Sequence, residues 1–202
     1  MKHLFVQGQS KSAPTLLLLH GTGGNERDLL PLAEIIAPQA SVLAVKGNIL
    51  ENGMPRFFRR LAEGVFDEED LIFRTQELHD FVTESSAQYG FDRDQVVAIG
   101  YSNGANIAAS LLYHHHHSLS GAILFHAMVP IEGVTLPDIK GIPVFLGAGK
   151  RDSMITPDQT KKLAEHLSEA GALVSEYWTE GGHQLSMEEV EKAKDWFTEH
   201  YS

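Results

Sequence analysis

Apolar residues in this chain fall in short runs, separated by longer stretches in which they recur every three or four positions. The runs are LFVQG (4–8), TLLLL (15–19), SVLAV (41–45), QVVAIG (95–100), GAILFHA (121–127), IPVFLGAG (142–149) and LVSEYWT (173–179). Most are continuously apolar and do not alternate, as strands do in a parallel sheet covered on both faces. Between them lie helical patterns. NERDLLPLAEIIA (25–37) follows a polar turn, and DLIFRTQELHDFVTESSAQYG (70–90) is amphipathic and closed by a glycine. NGANIAASLLYH (103–114) comes next. TPDQTKKLAEHLSEAG (156–171) opens with a cap and a proline, and SMEEVEKAKDWFTEH (186–200) with a capping-box pair, Ser186 and Glu189. The alternation predicts an α/β fold: a mostly parallel central sheet of about seven strands with helices on both faces. No repeat or linker divides the chain, so a single domain over residues 1–202 is expected.

Composition narrows the function. Of 202 residues, 43% are hydrophobic, enough for a sizeable core, and the formal net charge is −11. That charge argues against nucleic acid or an anionic membrane as a partner. The absence of cysteine removes disulfides, thiolate zinc sites and cysteine nucleophiles. No run nears the roughly 18 apolar residues of a membrane span, and the N-terminus lacks a signal-peptide pattern. A cytoplasmic protein is expected. The run His114–His117 looks like a metal site, but consecutive helical residues fan around the axis and do not converge on one ion. No metal or cofactor is expected.

The stretch VVAIGYSNG (96–104) ends a strand in Gly-x-Ser-x-Gly. A nucleophilic serine must stand clear of the sheet on a sharp strand-to-helix turn, and flanking glycines let the two elements approach. Ser102 then needs a base and an acid. In a parallel sheet with this motif they follow in the order acid, histidine, each after a later strand. Asp152 leaves the end of IPVFLGAG, and His183 lies between glycines and a capping box after LVSEYWT. Asp158 suits a helix first turn better, and Asp138 precedes its strand. His126 ends a strand and could line the site but precedes the acid. His166 falls in mid-helix and His200 at a helix end. The glycine-rich turn LLLLHGTGGN (16–25) and the N–H of Asn103 can supply donors to an oxyanion. The turn lacks the residues of a P-loop or a dinucleotide fingerprint.

Together LLLLHGTGG, AIGYSNGANIA, GKRDSMI and GGHQLS resemble the phospholipase/carboxylesterase family of α/β-hydrolases, over residues 13–198. PRFFRRLAEGVFDEEDL (55–71) is similar to a bacterial subgroup associated with hydroquinone stress. The resemblance implies an α/β-hydrolase fold, a triad of Ser102, Asp152 and His183, and Thr22 as the loop donor of the oxyanion hole. It also implies a serine esterase acting on small carboxylic esters; family relatives are often homodimers. A thioesterase or lysophospholipase with the same triad, and a non-catalytic ligand-binding module, share these features. The connection MVPIEGVTLPDIKG (128–141) is too short for a lid domain. PRFFRR (55–60) leaves the sheet edge where ligands bind in such folds. Phe57 is expected as an apolar wall of the site and Arg59 as the group facing a polar or anionic part of the substrate. The alternative keeps the arginines paired with Asp67–Asp70 and the phenylalanines packed beneath the loop.

Overall fold

The computed structural model describes residues 1–10 and 12–201. In chain order, β1 (His3–Val6), β2 (Thr15–Leu19), α1 (Leu30–Ile36) and β3 (Val42–Val45) come first. Two short antiparallel hairpins follow, β4 (Ile49–Glu51) with β5 (Met54–Arg56), and β6 (Arg60–Ala62) with β7 (Val65–Phe66). Then come α2 (Glu68–Tyr89), β8 (Val96–Tyr101), α3 (Asn103–His114), β9 (Gly121–Phe125), β10 (Pro143–Gly149), α4 (Pro157–Glu169), β11 (Leu173–Thr179) and α5 (Met187–Tyr201).

Seven strands form one sheet in the order β1-β3-β2-β8-β9-β10-β11. β1 is antiparallel to β3, and every other pair is parallel. This is the mostly parallel α/β sheet that the apolar runs predict. Leu16 to Leu19 are all buried because each face of β2 is covered. Side chains alternate across it. Leu17 and Leu19 join a core with Leu78 of α2, Ile107 of α3 and Leu163 of α4. Leu16 and Leu18 join a second core with Ile36 of α1 and Trp196 and Phe197 of α5. Burying each leucine stabilises the fold by about 1.5–3 kcal/mol. Among the described residues no helix is long and apolar enough to cross a membrane.

Two elements differ from the periodic reading. The helix expected over 25–37 covers only 30–36, because Asn25 and Asp28 form a local turn instead. The Asp28 carboxylate accepts from the Asn25 backbone and side-chain amides at 3.1 and 2.6 Å, and Asn25 Oδ1 accepts from Arg27 N–H at 2.8 Å. Short polar side chains that bond their own backbone compete with helix in this way. The second difference is residues 49–66, which show no clear period yet form the two hairpins.

The C-terminal ends of the central strands are level. Tyr101 lies beside Phe125, and Phe125 beside Gly147. The hydrogen-bond ladder runs one residue further, with Ser102 N–H donating to Phe125 O at 2.9 Å and His126 N–H to Gly147 O at 2.8 Å. Three neighbouring strands therefore deliver Ser102, His126 and the loop holding Asp152 to one edge. Residues 126–142, between β9 and β10, contain neither helix nor strand, and Ile131 and Ile139 tuck into the core.

Candidate active site

Ser102 sits between β8 and α3 with φ 52° and ψ −112°, a conformation costly for any residue with a side chain. The turn is tight enough to explain both flanking glycines. A Cβ on Gly100 would stand 2.6 Å from Ala105 Cα, and one on Gly104 would fall on the Leu19 carbonyl. The chain holds the serine forward by packing helix against strand at contact distance.

His183 arrives on the loop between β11 and α5. Its Nε2 is 2.9 Å from Ser102 Oγ, and its Nδ1 is 2.8 Å from Asp152 Oδ2. Tyr101 Oη donates to the His183 carbonyl at 2.8 Å and steadies that loop. Asp152 is buried, and its other oxygen accepts the N–H groups of Met154 and Ile155, both at 2.9 Å. Burial alone would raise this carboxyl. The Ile155 N–H and the two histidines against it outweigh burial and hold it below its ordinary value. The arrangement is a base that can take a proton from Ser102, oriented by an ionised acid.

The chain of contacts does not stop at Asp152. His126 is fully buried, with φ 55° at the end of β9. Its Nδ1 lies 3.0 Å from Asp152 Oδ2, and its Nε2 lies 3.0 Å from Glu189 Oε1. The Glu189 contact is out of line for a hydrogen bond and is a charge pair when the imidazole is protonated. Burial would lower the His126 imidazole, but Glu189 and Asp152 together raise it above its ordinary value. Glu189 is itself fully buried, and its second oxygen accepts the Ser186 N–H and Oγ–H, both at 2.8 Å. The capping-box glutamate of the last helix thus also faces the site. The signal available in the sequence was a histidine at the end of the strand next to the serine strand.

The turn after β2 borders Ser102 on the side of the α3 start. Asn103 opens α3, so its N–H is one of the free donors of a helix start. Thr22 lines the same cleft, with its Oγ1 accepting from Arg56 Nη1 at 2.6 Å. Gly23 N–H donates to Pro55 O at 2.9 Å. His20, which the motif reading left without a role, is buried: Nδ1 donates to Gly21 O at 2.6 Å and Nε2 accepts from Gly47 N–H at 3.0 Å. Burial pushes its pKa down, so it serves as a neutral brace between two loops.

A cleft of about 200 Å³ opens over Ser102 and His183, with Thr22, Arg56, Arg60 and Met128 among its walls. The structure does not bring Phe57 or Arg59 to it. Phe57 and Phe58 are fully buried in the core, and Phe57 N–H donates to Asn103 Oδ1 at 2.7 Å. Arg59 is 59% exposed and faces away, paired with Asp67 at 3.2 Å and Asp70 at 3.6 Å. Arg56 and Arg60 line the cleft, whereas Arg59, between the two hairpins, is held by Asp67 and Asp70.

The histidine run does not converge. His116 donates to Asp138 O at 2.7 Å, and His115 stacks on His79 at 4.2 Å. Among the described residues, the grouping tight enough to hold an ion is His126, Asp152 and His183. Both imidazoles there spend a nitrogen on the same Asp152 oxygen.

A family model described as phospholipase/carboxylesterase matches residues 2–201. The chain belongs to the phospholipase/carboxylesterase family. It is 56% identical over 199 residues to MhqD of Bacillus subtilis, a protein with a hydrolase name, covering 98% of each chain. The crystal structure of a Bacillus cereus carboxylesterase superposes with a TM-score of 0.98 at 59% identity, covering 98% of this chain and 94% of that one. YahD, solved with malic acid, gives a TM-score of 0.94 at 34% identity and 98% coverage of both chains. This member of the phospholipase/carboxylesterase family is a carboxylesterase-type hydrolase.

Proposed function

We propose that the protein is a serine esterase that cleaves small carboxylic esters through an acyl-enzyme, in a single α/β-hydrolase domain. The observation that carries this is the unbroken chain from Ser102 Oγ through His183 to Asp152, at 2.9 and 2.8 Å, beneath an open cleft. His183 Nε2 takes the Ser102 proton as Oγ adds to the ester carbonyl carbon. The tetrahedral oxygen is met by the N–H groups of Asn103 and Thr22. His183 returns the proton to the departing alcohol oxygen, leaving an acyl-serine. Water then adds to the acyl carbon with His183 again as base, and the acid leaves as Ser102 regains its proton. Asp152 holds the tautomer that keeps Nε2 free to accept and stabilises the imidazolium between steps.

The cleft supports short substrates. It shares Gly64, Phe66 and Met128 with a second hollow that continues along Val129 and Ile131, so an acyl chain has an apolar path of limited length. Malic acid in the related YahD crystal supports a small ligand over a long acyl chain. The test is labelling with a fluorophosphonate probe beside turnover of p-nitrophenyl acetate. Wild type should label quickly and turn over, and Ser102→Ala should do neither while keeping its thermal transition. Full labelling of the alanine variant would move the nucleophile elsewhere.

A further inference from the structure

We propose that the cleft selects esters bearing a second, ionised carboxylate, and that Arg56 is the residue that pairs with it. This rests on the serine-esterase reading and names the substrate class for the same site.

Arg56 is a cleft residue that is only 3% exposed. Its Nε donates to Phe58 O at 3.2 Å and its Nη1 to Thr22 Oγ1 at 2.6 Å. Nη2 has no hydrogen-bond partner among the described residues. The nearest carboxylate, Glu51, lies 3.9 Å away and is already held by Arg60 through two hydrogen bonds of 2.9 Å. Arg60 and Glu51 therefore neutralise one another, and the Arg56 charge stands in the wall without a close counterion. A guanidinium stays charged under such conditions, and burying it unpaired is costly. Burial does lower it from its ordinary value, with Arg60 adding to that and Glu51 opposing.

A second orphan donor lines the same cleft. Asn103 is buried, and its Oδ1 accepts from Phe57 N–H, which points its amide NH₂ the other way; Nδ2 has no partner. Thr22 Oγ1 accepts from Arg56, so its hydroxyl proton remains to be donated. Three donors with no committed acceptor thus belong to residues that line one small cleft. A carboxylate, with two oxygens that each accept more than one hydrogen bond, satisfies such a set better than a neutral amide or a hydroxyl. Glu63 also borders the cleft, but it is exposed at the rim, where water and salt screen it.

The experiment compares the monomethyl esters of malonic, succinic and glutaric acid with the corresponding neutral methyl ester amides. At the best chain length, wild-type kcat/KM should favour the anionic ester by about tenfold or more. In Arg56→Gln that ratio should fall toward one, and Arg56→Lys should recover part of it. A wild-type ratio at or below one at every length overturns the proposal, even where Arg56→Gln does not fold. So does an Arg56→Gln variant that loses both activities equally, which would make Arg56 a brace for the Thr22 loop. Fluorophosphonate labelling and p-nitrophenyl acetate turnover on the same samples separate the two readings. If both persist while the anionic preference is missing, only the carboxylate proposal fails. If neither occurs, both fall together.

Discussion

At Asp152 Oδ2 two imidazole N–H groups meet, from His183 at 2.8 Å and from His126 at 3.0 Å, so the proposed acid is itself backed by a second imidazole. Asp152→Asn keeps the shape but offers an N–H where an acceptor is needed. Turnover should fall by at least about 10², against roughly 10⁴ for the equivalent change in a serine protease. Near wild-type kinetics in this variant would remove Asp152 from the mechanism. His126 carries a separate expectation. Its folded pKa is raised above 6.5, so its stabilising charge is complete below that range and is lost as pH climbs through the raised value. Asp152 and Glu189 are lowered, so theirs is present above the ordinary carboxylate range and lost as pH falls through their folded values. The groups facing His126 are Asp152, Glu189, His183 and Tyr101. His126→Gln removes the positive group between two buried carboxylates, which keep only His183 and Ser186 with backbone N–H groups as partners, and should cost about 3–5 kcal/mol at neutral pH. Melting temperatures across the pH range should also show a flatter alkaline decline than wild type. A variant with the wild-type alkaline slope would show that His126 does not titrate there.

On the scale of elements, the junction of β8 and α3 sets Ser102 by contact. Gly→Ala inside a helix ordinarily stabilises by up to about 1 kcal/mol. At Gly104 the sign should reverse, because the new methyl would occupy the space of the Leu19 carbonyl and push α3 off the sheet. Gly104→Ala should lower the denaturation midpoint and slow fluorophosphonate labelling together. An alanine variant with a raised midpoint and normal labelling would mean that helix and strand are not locked here. The hairpins of 49–66 were illegible in sequence for a related reason. Strands of two or three residues are too short to show a period, and their anchors lie in other elements. Phe57 N–H is held by Asn103, Arg59 N–H by Asp70 at 2.7 Å, and Arg60 by Glu51 across the two hairpins.

For the whole molecule, the absence of regular structure between β9 and β10 leaves the cleft open to solvent on a chain of net charge −11. Short soluble esters should be preferred, and activity on a long-chain ester should not jump above its solubility limit. A sharp rise there would mean that a segment moves to uncover the site. The order of the central-sheet strands and the helices, the two-faced core and the strand-end positions of Ser102, Asp152 and His183 were legible in the sequence by itself. They follow from local periodicity and from the rule that every parallel strand points its C-terminal end to the same edge. Which arginine of PRFFRR reaches the cleft was not legible. The segment carries three arginines in five residues; the sequence offers Asp67–Asp70 as partners for all of them, but only Arg59 takes them, while Arg60 goes to Glu51. The same holds for His126 and Glu189. They are 63 positions apart by numbering, one at a strand end and one in a helix cap, and they become a charge pair only when α5 packs across β10 beside β9. Periodicity is set by neighbours in the chain, whereas a buried ion pair is set by neighbours in space, and only the tertiary structure supplies those.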